Sequence, residues 1–380
     1  MTLKRWTYVI GFLLVGVMGL STLLPVLAPR NLSSPVTEPV QPTPMPTFPP
    51  PPDTSAISFD QLYLHPSGLF TVAYPTGWTP SQPITTTDNV RAVFSNTDAL
   101  GVIQVDINRP PAADEAPLTL DNVDSYFNTG WMQASWREYS SWEESSRQRT
   151  ADDELVIDFA LTLRGQTYVA RQKAWTDGDW IYSTRVVMPE NATQALLYLL
   201  DNVAATLEPQ KAFAGTPLNW EAYFDQQDTH IIRFPSSWTL ADSAPGKPAS
   251  ITGEDNTALR VQTEAGTVIN SEADARAWVE NLRSGTNILS VKPVSREGSE
   301  GYSVAYTLRT VDGDMQSGLA VLLNGPEDRL HVANLRFPGA NIDLNADDLA
   351  ETYSDLVSVM NSFNVMPHLA GAATDIAAAG

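Results

Sequence analysis

The sequence contains no cysteine and only four histidines. Lack of cysteine removes disulfides, thiolate metal sites, cysteine nucleophiles, iron–sulfur ligation and a lipid-modified N-terminal cysteine. The histidines are His65, His230, His331 and His368, and no two have the i, i+4 spacing that puts two ligands on one helix face. His230 and His331 fall in strand-like stretches and read as satisfied or exposed strand side chains. Positive charge is also scarce, with 23 Lys and Arg against 44 Asp and Glu and a net charge of −21. Lys4, Arg5 and Arg30 lie in an N-terminal stretch without acids, so the rest of the chain is more acidic still. Such a surface is repelled by phosphate backbones and anionic headgroups, which argues against nucleic-acid binding and peripheral membrane docking. Gly-x-Ser-x-Gly, the Walker loop, Gly-x-Gly-x-x-Gly and His-Glu-x-x-His are all missing. No catalytic residue, metal ligand or cofactor is assigned. The balance is against an enzyme, with a paired-carboxylate hydrolase left open because such carboxylates are brought together only by the fold.

Long apolar runs are limited to one. Residues 8–24 are uninterrupted by charge, and residues 6–28 as one helix would span about 34 Å. Lys4 and Arg5 precede this run and only Arg30 follows it, so the positive-inside rule places the N-terminus in the cytoplasm and the remainder outside. Residues 1–30 are therefore expected to be a single-pass anchor in the cell membrane. A cleaved signal peptide is the competing reading, with Val26 and Ala28 as small residues before a cut, against which Pro29 counts. Residues 31–58 hold nine prolines in 28 positions, a composition that favours an extended spacer over a core.

The remainder repeats itself. Tyr74-Pro75-Thr76-Gly77-Trp78-Thr79 corresponds at an offset of 160 to Phe234-Pro235-Ser236-Ser237-Trp238-Thr239. Tyr63-Leu64 faces Tyr223-Phe224 at the same offset, while Met188-Pro189 faces Phe337-Pro338 at 149. Both copies run in the same order. Two-residue alternation at Phe70, Val72, Tyr74 and at Ile103, Val105, Ile107 predicts strands. Leu120, Val123 and Phe127 predict a helix, matched by Ala275, Trp278 and Leu282 behind Ser271 as N-cap. Alternation at 155–163 and 302–308 then predicts hairpin strands, with turns at Arg164-Gly165, Asp177-Gly178, Asp312-Gly313 and Asn324-Gly325. Leu196, Leu200, Val203 and Leu207, and in the second copy Leu349, Tyr353, Leu356, Met360 and Phe363, predict closing helices. Each copy is expected to be one antiparallel sheet of five to seven strands covered by helices.

The aromatic-Pro-x-x-Trp element after an opening strand, the long meander, and closing helices ending in Thr206-Leu207 and Ser362-Phe363 resemble the PsbP-like superfamily, which includes an extrinsic photosystem II subunit. The resemblance implies an α+β chain of two tandem α/β/α-type sandwich domains, residues 59–208 and 217–366, joined by a linker at 209–216. It also implies a non-catalytic binding or assembly role. It carries no functional residues over, because the matching positions are core positions. Residues 367–380, rich in Ala and Gly, are expected to be disordered.

Asp343-x-Asn345-x-Asp347 imitates the start of a calcium loop, but Asp348 stands where Gly is required and Ser354 where the bidentate Glu belongs. Capping of the last helix is the preferred reading. Asp177-Gly178-Asp179 and Asp312-Gly313-Asp314 read as turns. For binding, the excess of tryptophan in copy one singles out Trp131, Trp136, Trp142, Trp175 and Trp180. Trp175 and Trp180 are read as a cross-strand pair, and the other three as the edge of a recognition surface. The expected function is a membrane-tethered extracytoplasmic module binding a protein or small ligand; a sensor or regulator ectodomain is the alternative.

Overall fold

The stretch Leu155–Leu163 forms a strand in which Leu155, Ile157, Phe159 and Leu161 are all buried on one face, as a two-residue period requires of a covered sheet. The structure, a computed structural model, describes residues 48–373 apart from Gln82, Glu115 and Asp242. The expected membrane helix and residues 31–47 of the spacer lie outside the described residues, among which no helix is long and apolar enough to cross a membrane. The described residues from Phe48 on pack as one unit, and among them the structure is mixed α+β, with antiparallel sheets and five α-helices.

The first repeat contains β1 (Gln61–Leu64), β2 (Phe70–Tyr74), β3 (Thr79–Pro80), β4 (Ile84–Thr85), β5 (Asn89–Asn96), β6 (Gly101–Asn108), α1 (Leu120–Tyr126), α2 (Thr129–Ser135), β7 (Ser141–Arg149), β8 (Leu155–Leu163), β9 (Gln166–Thr176), β10 (Ile181–Pro189), α3 (Thr193–Thr206) and β11 (Glu208–Pro209). The second contains β12 (Glu221–Phe224), β13 (His230–Phe234), β14 (Thr239–Leu240), β15 (Ala249–Thr252), β16 (Ala258–Ala265), α4 (Glu272–Glu280), β17 (Asn287–Arg296), β18 (Ser299–Arg309), β19 (Met315–Gly325), β20 (Arg329–Pro338), α5 (Ser354–Asn361) and β21 (Asn364–Val365). The large sheets run β3-β5-β6-β10-β9-β8-β7, with β4 also on β5, and β14-β15-β16-β20-β19-β18-β17. Apart from β4, which brings the first sheet to eight strands where five to seven are expected, one order maps onto the other strand for strand.

The opening strands do not join these sheets, contrary to the expectation of one sheet per copy. They form separate ribbons, β1-β2-β11 and β12-β13-β21. The cause is the Pro-x-x-Trp turn. Trp78 N–H donates to the Pro75 carbonyl at 3.1 Å and Trp238 N–H to Pro235 at 2.9 Å, which bends the chain out of the ribbon before the large sheet begins. Both indoles are buried in the core.

Each large sheet is covered on both faces. In the first, Ile103, Val105, Val186 and Met188 pack under α3 and the ribbon. The opposite face packs Ile157, Phe159 and Ile181 against Val123, Phe127, Met132 and Trp136 of the α1–α2 segment. In the second, α5 covers one face and α4 the other. Copy one thus has two helices on its outer face where copy two has only α4. Ser271 caps α4, its hydroxyl accepting from Asp274 N–H at 3.2 Å.

Several expectations are corrected. Residues 48 and 49, expected to belong to the spacer, pack on the first repeat: the Phe48 ring lies edge-on to Tyr168 at 5.2 Å and Asn191 donates to the Pro49 carbonyl at 3.1 Å. Residues 209–216, expected to be a linker, pack into the fold, with Phe213 fully buried. Residues 367–373 are ordered: Leu369 and Ala372 are buried, and Ala373 pairs with Leu62 and Leu64 at 2.9 Å each. Asn324-Gly325 is not a turn. The reversal falls at Glu327 and Asp328, both with positive φ, while the Asn324 side chain holds the Ile269 backbone. Asp343 caps no helix, because α5 starts at Ser354; it accepts from Ser290 at 2.8 Å and pins its loop to β17.

The repeats clasp each other. Ala222 N–H donates to Pro66 at 2.9 Å, covering the edge of β12, while the segment after β21 covers the edge of β1. Arg233, fully buried, donates to the carbonyls of Ser67, Pro217, Leu218 and Trp220 and to the Thr216 hydroxyl. Burial lowers its pKa to about 9.

Candidate functional site

The five singled-out tryptophans are not brought together. Trp131, Trp136 and Trp142 belong to the α1–α2 face of the first sheet, whereas Trp175 and Trp180 belong to the α3 face. Trp136 and Trp180 are buried and present no surface. Trp175 is opposite Tyr182, on which it stacks at 5.7 Å, and Trp180 lies in the turn, so these two are not a cross-strand pair. The extra residues between Thr176 and Ile181 set this register. Trp131 and Trp142 are half-buried.

Trp136 and Trp131 cover a buried arginine. The Arg185 guanidinium lies 4.3 Å from the centre of the Trp136 ring and 5.4 Å from that of Trp131, within cation–π range. It donates to Gln104 at 2.5 Å, Gln104 donates to Asp106 at 2.7 Å, and Arg91 closes the chain on Asp106 at 2.6 Å. Burial lowers the Arg185 pKa to about 10.

The same place in the second repeat is open. Arg185 pairs with Gln104 and stands four residues before the terminal Pro189; Asn334 pairs with Arg260 and stands four before Pro338. Phe159, which touches Trp136 at 5.0 Å, corresponds by register to Tyr306. Around Tyr306 and Asn334 lies a pocket of about 340 Å³, bordered by Arg260, Gln262, Trp278, Leu282, Arg283 and Arg336 among others. Its floor is fixed, because the Tyr306 hydroxyl donates to Asn334 at 2.6 Å. Gly318 makes room for the ring: a Cβ there would meet Tyr306 Cζ at 2.4 Å. Arg260 donates to Gln262 at 2.7 Å, and Gln262 donates to Glu264 at 2.7 Å. Glu264 also accepts the Trp278 indole N–H at 3.0 Å, which holds that ring. Among the described residues no carboxylate forms an ion pair with Arg260, Arg283 or Arg336.

The fold also unites two histidines that sequence spacing left apart. His230 and His331 are buried, their rings 5.7 Å apart, and each Nδ1 faces the Thr263 hydroxyl, at 3.3 and 3.1 Å. Gly325 closes on His331, where a Cβ would come within 2.2 Å of Nε2. Among the described residues no group of three His, Cys, Asp or Glu is placed to hold a metal.

Sequence reasoning missed the pocket because Arg260, Gln262 and Glu264 alternate with Leu259 and Val261, the pattern of a strand with one face in water. The available signal was its counterpart: Gln104, Asp106 and Asn108 occupy the same face of β6.

No protein-family model matches the chain, and no curated protein matches it. Among solved structures, it is similar to the cyanobacterial PsbP protein CyanoP of Synechocystis sp. PCC 6803, at 15% identity over 39% of this chain and 92% of that one, with a TM-score of 0.28. A structure from Bacteroides thetaiotaomicron matches at 10% identity over 38% of this chain and 48% of that one, with a TM-score of 0.25. The immunity protein TplEi of Pseudomonas aeruginosa matches at 11% identity over 77% of this chain and 99% of that one, with a TM-score of 0.24.

Proposed function

We propose that this chain is a membrane-tethered extracytoplasmic binding module, built from two PsbP-like α/β/α domains, that recognises a ligand without transforming it. The two-domain reading is supported by the duplicated strand order and by the recurrence of the aromatic-Pro-x-x-Trp turn with a buried indole in each copy. The tether is supported by the apolar run at residues 8–24 and the bases before it.

The observation that carries the binding reading is the make-up of the second-repeat pocket. Its polar lining consists of three guanidiniums, two amides and the Tyr306 phenol. A guanidinium stays protonated and donates hydrogen bonds without exchanging its proton. Burial pushes the Tyr306 hydroxyl well above the ordinary tyrosine value. Groups of this kind hold and orient a ligand, whereas acid–base catalysis needs a group that titrates near the working pH. Native mass spectrometry of the full-length protein drawn from its own membranes tests the reading. The expected result is a bound partner released chemically unchanged; release of a cleaved product, or no bound species, contradicts it.

A further inference from the structure

We propose that the pocket beneath Trp278 takes an amphiphilic anion, a carboxylate or phosphate carried on a planar or apolar body. The inference rests on the binding reading above and adds the chemistry of the ligand.

In a chain of net charge −21, arginines would be expected to find carboxylates, yet Arg260, Arg283 and Arg336 gather around one pocket without any ion pair among the described residues. Arg260 and Arg336 stand on neighbouring strands, since Arg260 pairs with Asn334 and Arg336 with Ala258. They are diagonal neighbours on one face, within reach of each other's long side chains. Like charges so placed repel, and an anion between them relieves the repulsion. Arginine forks match the two oxygens of a carboxylate or phosphate.

Trp278, Leu282, Tyr306, Leu308 and Val332 line the same space, and Leu282 is left 38% exposed. A volume of about 340 Å³ falls at the small end of ligand pockets. Copy one shows what fills the corresponding place, where the Trp136 indole lies on the Arg185 guanidinium. A ring of the chain's own thus fills this place in one copy; in the other, where Asn334 stands in place of Arg185, a ligand ring fills it and its acidic head meets Arg260 and Arg336.

Isothermal titration calorimetry of the full-length protein in nanodiscs, with empty discs as the blank, tests the proposal with 2-naphthoate, its neutral analogue 2-naphthamide, and inorganic phosphate. The expected result is naphthoate binding at least about tenfold tighter than naphthamide. That binding should be lost in Trp278→Ala and weakened by about tenfold or more in the R260Q/R336Q variant, whose exposed substitutions leave thermal unfolding unchanged. Equal binding of naphthoate and naphthamide overturns the anion while leaving a binding module in place. Phosphate binding as tight as naphthoate binding and indifferent to Trp278→Ala overturns the apolar body. Failure of naphthoate to bind the unmodified protein overturns the proposal whatever the variants do.

Discussion

Arg185 and Asn334 hold the same position in the two sheets, and what lies above them differs. Arg185 is sealed by Trp136, whereas Asn334 takes a hydrogen bond from Tyr306 at the floor of a pocket. The difference follows from the helices: α2 has no counterpart in the second repeat. Trp136→Ala should therefore act as a core truncation, costing about 3 to 5 kcal/mol and uncovering a buried guanidinium. Trp142→Ala, at a half-buried edge position, should cost less than half as much. Urea unfolding of both variants measures this, and equal losses would contradict the assignment of Trp136 to the core.

Trp78 and Trp238 make the corresponding comparison between the copies. Each is buried where the ribbon turns into the large sheet, and each is met by a glycine of the next hairpin: a Cβ on Gly101 would come within 2.6 Å of Trp78, and one on Gly253 within 2.6 Å of Trp238. Replacing either indole by Ala should cost about 3 to 5 kcal/mol. Similar losses at the two sites, read from calorimetric unfolding, are expected; a near-neutral effect at one would remove its structural equivalence.

Much of this was legible in the sequence, and the remainder was not for definable reasons. Repetition of the Pro-x-x-Trp element exposed the duplication because a large buried indole cannot be moved without leaving a cavity. Strict alternation at Leu155–Leu163 gave its strand and its inward face. The break between ribbon and large sheet was hidden, since alternation marks a strand without naming its neighbour. Trp136 looked available because local sequence carries no sign of Arg185 beneath it, contributed by a strand far along the chain. Arg260 and Arg336 looked like solvated strand residues for the same reason. The Ala- and Gly-rich tail has little apolar mass, yet Leu369 and Ala372 suffice to seat it where β1 offers an unpaired edge.

The buried histidines set an acid limit on stability. Burial lowers the His65 pKa to about 3 despite the Arg91 carbonyl, with the Arg233 charge adding to the effect. Burial and then His331 lower His230 to about 4, opposed by Asp225 and Asp228. Both stay neutral in the folded protein while the unfolded chain takes up protons below about 6.5. Stability is therefore whole above that pH and falls by about 1.4 kcal/mol per pH unit for each group as the pH drops toward the folded values. Urea midpoints between pH 7 and 5 should fall, and less steeply in His230→Asn; identical slopes would show that His230 does not contribute.

Arg233 joins the repeats through carbonyls and a hydroxyl rather than through a carboxylate. Arg233→Met keeps much of the side-chain volume but leaves those acceptors unpaired, at a cost of about 3 to 5 kcal/mol. The two repeats should then melt separately. Differential scanning calorimetry would resolve two transitions in place of one, and a single unshifted transition would contradict the clasp.

The central claim is that recognition belongs to the second repeat, at the place where the first is filled by its own tryptophans. The indole N–H resonances of full-length protein labelled with ¹⁵N-tryptophan, recorded during titration with 2-naphthoate, test it most directly. The account predicts that the Trp278 resonance moves and saturates while those of Trp131, Trp136 and Trp142 stay in place. Saturable movement of the Trp131 or Trp142 resonance with Trp278 unchanged would contradict it.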